Sequence, residues 1–300
     1  MKTYELKAKD GYFLSINTHD GKEPAAVIQL IHGMEEHQGR YEAFIHFLTQ
    51  NGYCVVSSNL RGHGKNAPIL GHFKDKNGAV ELVRDQLLIR KMIAKLYPGM
   101  PVYLFAHSMG SVIARVLLQN HSAKYDKVVL SGYPNFRLGL FFGLPLSSIM
   151  MKWKNPTYKS WFLEKLSVGV FNNSIKDSVT PFDWLTRDKK HINKFMDDSL
   201  CGAGFSCAAF HDLYQLMFQM HQPRKYKHVN KRLSILMLSG TADPCTGGQK
   251  GTWDSYSTLV KAGFPKENIS CIDYPEMRHE VLNEINHFKV FEDILDFYDK

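Results

Sequence analysis

Residues 106–110 read Ala106-His107-Ser108-Met109-Gly110, between an apolar run at 102–106 and a helical pattern at 109–119. A serine at the centre of such a strand–turn–helix junction, with small residues two places to either side, has its hydroxyl exposed on a strained turn. Strand and helix approach too closely there for larger side chains. Such a hydroxyl can attack a carbonyl carbon if a base removes its proton. Ala106 stands where the common form of the motif has Gly, and alanine is still small. The helix that follows directs unpaired N–H groups and its positive dipole end toward any negative charge formed beside Ser108, so the N–H of Met109 is a candidate oxyanion donor. A serine in front of a helix is usually only a cap, and Ser108 needs partners to be more than that.

Two later strand ends supply them. After the apolar run 233–238 comes Ser239-Gly240-Thr241-Ala242-Asp243-Pro244, and after 269–274 comes Pro275-Glu276-Met277-Arg278-His279-Glu280. Both segments fall at the carboxyl edge of an open parallel sheet, where catalytic groups gather. The chain order Ser, Asp, His is the order this kind of elbow uses. Of the 14 histidines only His279 and His287 follow Asp243, and His287 lies within a helical pattern. His279 is therefore the expected base and Asp243 the acid that orients it, with Asp273 and Glu276 as alternative acids. A second oxyanion donor is expected after the run 25–31, which ends in His32-Gly33-Met34. The N–H of Met34 is the candidate, and His32 reads as a structural imidazole bonded to nearby backbone.

The elements that must hold these residues are short. Alternating stretches at 4–7 and 12–19 flank Asp10-Gly11, a pair suited to a tight turn, and read as an antiparallel hairpin. Apolar runs at 25–31, 53–58, 102–106, 127–130, 233–238 and 269–274 have the character of buried parallel strands. Helical patterns occupy 41–50, 80–97, 109–119 and 287–298; in the second, Val80, Val83, Leu87, Leu88 and Met92 form one apolar stripe. Strands alternating with helices imply an α/β fold, a mostly parallel central sheet with helices on both faces. The alternation fails over about 134–231, a stretch too long to be structureless. It is expected to be a helical cap inserted between core segments 1–133 and 232–300. Its leading part, 138–151, carries no charge, includes Phe141 and Phe142, and is flanked by Arg137, Lys152 and Lys154. It is too short to span a membrane. It is expected to form the entrance of a substrate pocket, with Phe141 and Phe142 on its wall, either facing inward or resting on a lipid surface.

Composition narrows the partners. Hydrophobic residues make up 44% and charged residues 22% of the 300, an ordinary globular balance. The net charge of +8 is mostly dispersed; its densest run, Arg224 to Arg232, comes with no nucleic-acid-binding pattern and reads as a solvated connector. Five cysteines at irregular spacing fit reduced thiols, and the amino-terminal residues contain no secretory signal, so a cytoplasmic location is expected.

These positions resemble the monoacylglycerol lipase and lysophospholipase branch of the α/β-hydrolases, which includes serine aminopeptidase-like members. The matching residues are His32 to His37 with Gly39-Arg40-Tyr41, then Arg61-Gly62-His63-Gly64, the elbow around Ser108, Gly240 to Pro244, and Arg278-His279-Glu280. The resemblance implies that Arg61 to Gly64 supports the oxyanion side and that the cap shapes an acyl-chain pocket. It ranks a lipid monoester first as substrate. A small-ester carboxylesterase, a short-peptide aminopeptidase and a catalytically silent binding protein remain as alternatives. The expected chemistry, attack by Ser108 and hydrolysis of an acyl-enzyme, needs no metal or organic cofactor.

Overall fold

Asp10 and Gly11 turn β1 (Lys2–Lys7) back onto β2 (Phe13–His19), with Lys2 opposite Thr18 and Lys7 opposite Phe13. The structure, a computed structural model, describes every residue except 137, 138 and 177. Beyond the hairpin the chain alternates as the hydrophobic pattern requires: β3 (Ala26–Ile31), α1 (Glu42–Gln50), β4 (Tyr53–Ser58), α2 (Gly78–Leu96), β5 (Val102–His107), α3 (Met109–His121) and β6 (Lys127–Ser131). Between β6 and the next strand lie α4 (Leu140–Trp153), α5 (Trp161–Glu164), α6 (Lys189–Asp197) and α7 (Cys207–Met220). The chain then closes with β7 (Ser234–Gly240), α8 (Gly248–Ala262), β8 (Ile269–Tyr274) and α9 (His287–Asp299).

The eight strands form one sheet in the order β1-β2-β4-β3-β5-β6-β7-β8. It is antiparallel across β1, β2 and β4 and parallel from β4 to β8. Side chains of a strand alternate between faces, and the core divides accordingly. Val27 and Ile31 of β3 join α2, α3 and α7 on one face, whereas Ala26, Ile28 and Leu30 join α1 and α9 on the other. The chain leaves β3 for β4 on one side and returns to β5 on the other, so a crevice opens at the carboxyl ends of β3 and β5. Met34 and Ser108 follow those two strands.

The segment between β6 and β7 is helical, and it is not packed only on itself. α4 lies on α7, while α7 packs on α2 and α3, and its Phe210, Leu213, Leu216 and Met220 belong to the main core. A separate small cluster, Trp184, Leu185, Phe195 and Cys201, sits over the sheet edge near Cys245. Of the apolar stretch singled out in the sequence, Arg137 and Leu138 lie outside the described residues. Among the described residues no helix is long and apolar enough to cross a membrane.

Candidate active site

β5 delivers Ser108 into a turn with φ 51° and ψ −122°, a conformation that costs a non-glycine residue on the order of 1–3 kcal/mol. The tightness of the junction explains the small neighbours. A Cβ on Gly110 would stand 2.5 Å from the carbonyl oxygen of Ile31, and Ala106 is wholly buried against the same strand. The Ser108 N–H donates to Ser131 O at 2.9 Å, which pins the turn to β6. The side chain makes no capping bond to α3. The reading of Ser108 as a plain helix cap therefore fails.

The hydroxyl lies 2.8 Å from His279 Nε2, and His279 Nδ1 lies 3.0 Å from Asp243 Oδ2. The two loops that carry these partners are locked together. Ala242 N–H donates to Met277 O, and a Cβ on Gly240 would fall only 2.0 Å from that oxygen, so glycine is required there. Burial pushes the Asp243 carboxyl up, but the facing imidazole and hydrogen bonds from Thr246 Oγ1 (2.6 Å) and the Cys245 N–H (2.8 Å) outweigh it and hold it below its ordinary value. An ionised Asp243 can only accept. Nδ1 must then carry the proton and Nε2 the lone pair that faces Ser108. For His279, burial works against the cation, yet the charge of Asp243 and its hydrogen bond prevail and raise the pKa. The alternative acids are engaged elsewhere, Asp273 accepting from Ser239 Oγ at 2.6 Å and Glu276 meeting Arg187 at the surface.

Met34 and Met109 line the same cavity as Ser108 and His279. The loop bearing Met34 is held by a network that the sequence reading did not assign a role. Gly33 N–H and Tyr41 O–H donate to Glu36 Oε1 at 2.5 and 2.7 Å, and Arg40 reaches Glu36 Oε2 at 2.7 Å. The same Nη1 of Arg40, together with Nη2, grips Glu280, next to His279, in a bidentate pair at 2.6 and 2.7 Å. Burial pushes Glu280 up, but the Arg40 guanidinium overrides it and brings its carboxyl down to about 2. His32 is structural, as expected: it takes the Leu60 N–H on Nε2 at 2.9 Å and meets Gly33 O through Nδ1 at 2.8 Å. Burial drives it down to about 3, so it stays neutral. His63, from the Arg61 to Gly64 loop, accepts the Glu35 N–H at 3.2 Å and so braces the residue after Met34.

A cavity of about 350 Å³ opens above Ser108. Its wall is mostly apolar and includes Leu140, Leu166, Val168, Trp184 and Met217, with Phe142 at its mouth. Phe141, expected beside Phe142, is not on that wall. Successive helical residues project about 100° apart, and Phe141 turns away to pack edge-on against Phe136 and Phe218. Among the described residues, one group has the spacing of metal ligands, His37, Asp198 and Cys201. Burial pushes the Cys201 thiol up to about 12 and the Arg40 cation stands nearby, conditions that disfavour a bound metal ion.

A family model described as serine aminopeptidase, S33, matches residues 22–286. The chain is 31% identical over 277 residues to a monoacylglycerol lipase of Mycolicibacterium smegmatis, covering 91% of this chain and 87% of the relative. It is 26% identical over 270 residues to the Homo sapiens monoglyceride lipase, covering 88% and 82%. In fold it is similar to a thermostable carboxyl esterase from Bacillus coagulans solved with glycerol, with a TM-score of 0.91, 24% identity, and 99% and 97% of the two chains covered.

Proposed function

Because the chain belongs to the serine aminopeptidase S33 family of α/β-hydrolases and is an ester hydrolase, we propose that it cleaves lipid monoesters through Ser108, His279 and Asp243. The observation that carries this reading is the continuous hydrogen-bonded line from Asp243 through His279 to Ser108, ending in an apolar cavity. Ser108 Oγ attacks the ester carbonyl while His279 Nε2 takes its proton. Asp243 holds the imidazole tautomer and stabilises the imidazolium. The N–H groups of Met34 and Met109 stabilise the oxyanion, each worth roughly 3–4 kcal/mol in a water-poor site. His279 then protonates the departing alcohol and activates the water that frees the acid from Ser108.

A monoacylglycerol or lysophospholipid ranks first, because the wall suits an acyl chain and relatives are named monoacylglycerol lipase and phospholipase. In this reading residues 134–231 act as the cap over the chain. Phe142, Trp153, Trp161 and Phe162 are each more than half exposed on that segment, interspersed with Lys152, Lys154 and Lys165, which suits contact with a lipid surface. The free thiols of Cys54, Cys201, Cys207 and Cys271 support a reducing, cytoplasmic setting.

The test is a hydrolysis panel of long-chain monoacylglycerols, lysophospholipids, short nitrophenyl esters and aminoacyl amides, paired with fluorophosphonate labelling. Preference for a long-chain monoester, with both turnover and labelling abolished in Ser108→Ala, is expected. A preference for aminoacyl amides, or labelling that survives in Ser108→Ala, overturns the proposal.

A further inference from the structure

Glu35 follows the proposed oxyanion donor Met34, and its environment is costly. Its backbone has φ 54°, a region that favours glycine, and the residue is 9% exposed. Its Oε1 has no hydrogen-bond partner. Across from it, at the end of α5 in the inserted segment, Glu164 has a buried Oε2 that also lacks a partner. Both residues lie on the cavity wall, and their carboxyls sit by successive backbone N–H groups, Gly204 beside Glu35 and Phe205 beside Glu164. Two neighbouring buried acceptors with no donor call for a proton between them, since two adjacent carboxylates in an apolar setting cannot both ionise.

We propose that Glu35 and Glu164 share one proton and act as positioning residues, a carboxyl–carboxylate clasp that ties the loop carrying Met34 to the segment covering the cavity. The activity arm of its test rests on the hydrolase reading above; the stability arm does not.

The groups facing the pair are consistent with it. Burial, and then the facing Glu164 carboxylate, push Glu35 up to about 8, and burial raises Glu164 as well. His63, behind Glu35, is driven down to about 3 and stays neutral. Tyr214 of α7, bonded to Ser167, is raised and also stays neutral. Lys159 is the charged neighbour, but it is exposed and donates to Ala203 O at 2.7 Å, so it offsets the burial only in part. As pH rises through about 8 the shared proton leaves, two negative charges face each other, and the clasp opens.

The test uses Glu35→Gln and Glu164→Gln in the full chain, because an amide N–H supplies permanently the donor that the proton supplies. Turnover of nitrophenyl butyrate by the natural protein should fall on the order of tenfold between pH 7 and 9.5, as expected for loss of a hydrogen bond to a charged group, while either Gln variant falls less than about twofold. The melting temperature should tell the same story. A carboxyl whose pKa is raised by folding makes stability decline from its unfolded value near 4.5 up to about 8, and Glu35→Gln should flatten that slope. Asp212, pushed up to about 7 by burial, contributes equally in both proteins. An unchanged alkaline decline and an unchanged slope in both variants overturn the clasp. So does failure of Glu35→Gln to fold, since the amide should replace the proton. If the natural protein hydrolyses no ester, the functional reading fails while the melting arm still decides the clasp.

Discussion

Arg40 and Glu280 meet in a two-bond ion pair although they stand 240 residues apart, and the second oxygen of Glu36 joins them through the same guanidinium. The pair spans from the Met34 loop to the His279 loop, so the proposed oxyanion donor and the proposed base are held by one planar group. A lysine has no such fork.

Removing Arg40 should therefore be severe. Arg40→Ala leaves Glu36 and Glu280 buried without their cation, and breaking a buried pair in this way costs about 3–5 kcal/mol. Urea unfolding measures this directly. A loss under about 1 kcal/mol would place the network outside the stability of the fold.

Asp243→Asn should fold normally yet lose about 10⁴ in rate, since the amide favours the wrong imidazole tautomer. Asp273→Asn, whose carboxylate serves Ser239, should lose little. Comparable kinetics from the two variants, at matched melting temperatures, would remove Asp243 from the mechanism.

The pH dependence on the acid side follows from His279. As the proposed base it must be neutral, and Asp243 raises its pKa against the pull of burial, so the rate should fall as pH drops through a value above the ordinary 6.5. In Asp243→Asn the acid limb of the residual rate should move to lower pH, because burial is then opposed only by the weaker pulls of Glu280 and Glu36. A limb that stays in place in the variant speaks against this coupling.

Phe142→Asp should slow long-chain ester hydrolysis far more than butyrate hydrolysis, because it puts a charge at the cavity mouth and leaves Ser108 untouched. Phe141→Asp disturbs the packing on Phe136 and Phe218 and should affect both chain lengths alike. Measured chain-length profiles that exchange these two outcomes would reverse the assignment of the α4 faces.

The sequence makes the sheet and its edge legible for a physical reason. Central strands such as β5 and β7 are almost wholly buried, so they read as apolar runs, and Ser108 and Asp243 follow them; His279 follows β8, an edge strand buried only at its two ends. The α8 helix escapes notice because its buried face is Gly251, Thr252, Ser255 and Thr258, with Leu259 as its one large apolar member, rather than an apolar stripe. In α4 both faces are apolar, and Gly143 and Pro145 interrupt it, so periodicity does not separate Phe142 from Phe141. A contact such as Arg40 with Glu280 joins residues too distant in the chain for any local pattern to pair them.

The way α7 is shared has a consequence for building chimeras. Exchanging residues 134–231 as a cassette between relatives would remove Phe210, Leu213, Leu216 and Met220 from beside α2 and α3, each loss worth about 2–5 kcal/mol where the gap does not close. A cut placed earlier, before Ser206, whose hydroxyl caps α7 by accepting the Ala209 N–H at 3.1 Å, keeps α7 on α2 and α3 but severs it from α4, so the grafted α4 must be matched to it. A graft ending there carries α4 to α6 and the aromatic mouth to a new host, while the helix beneath them stays with the sheet it supports.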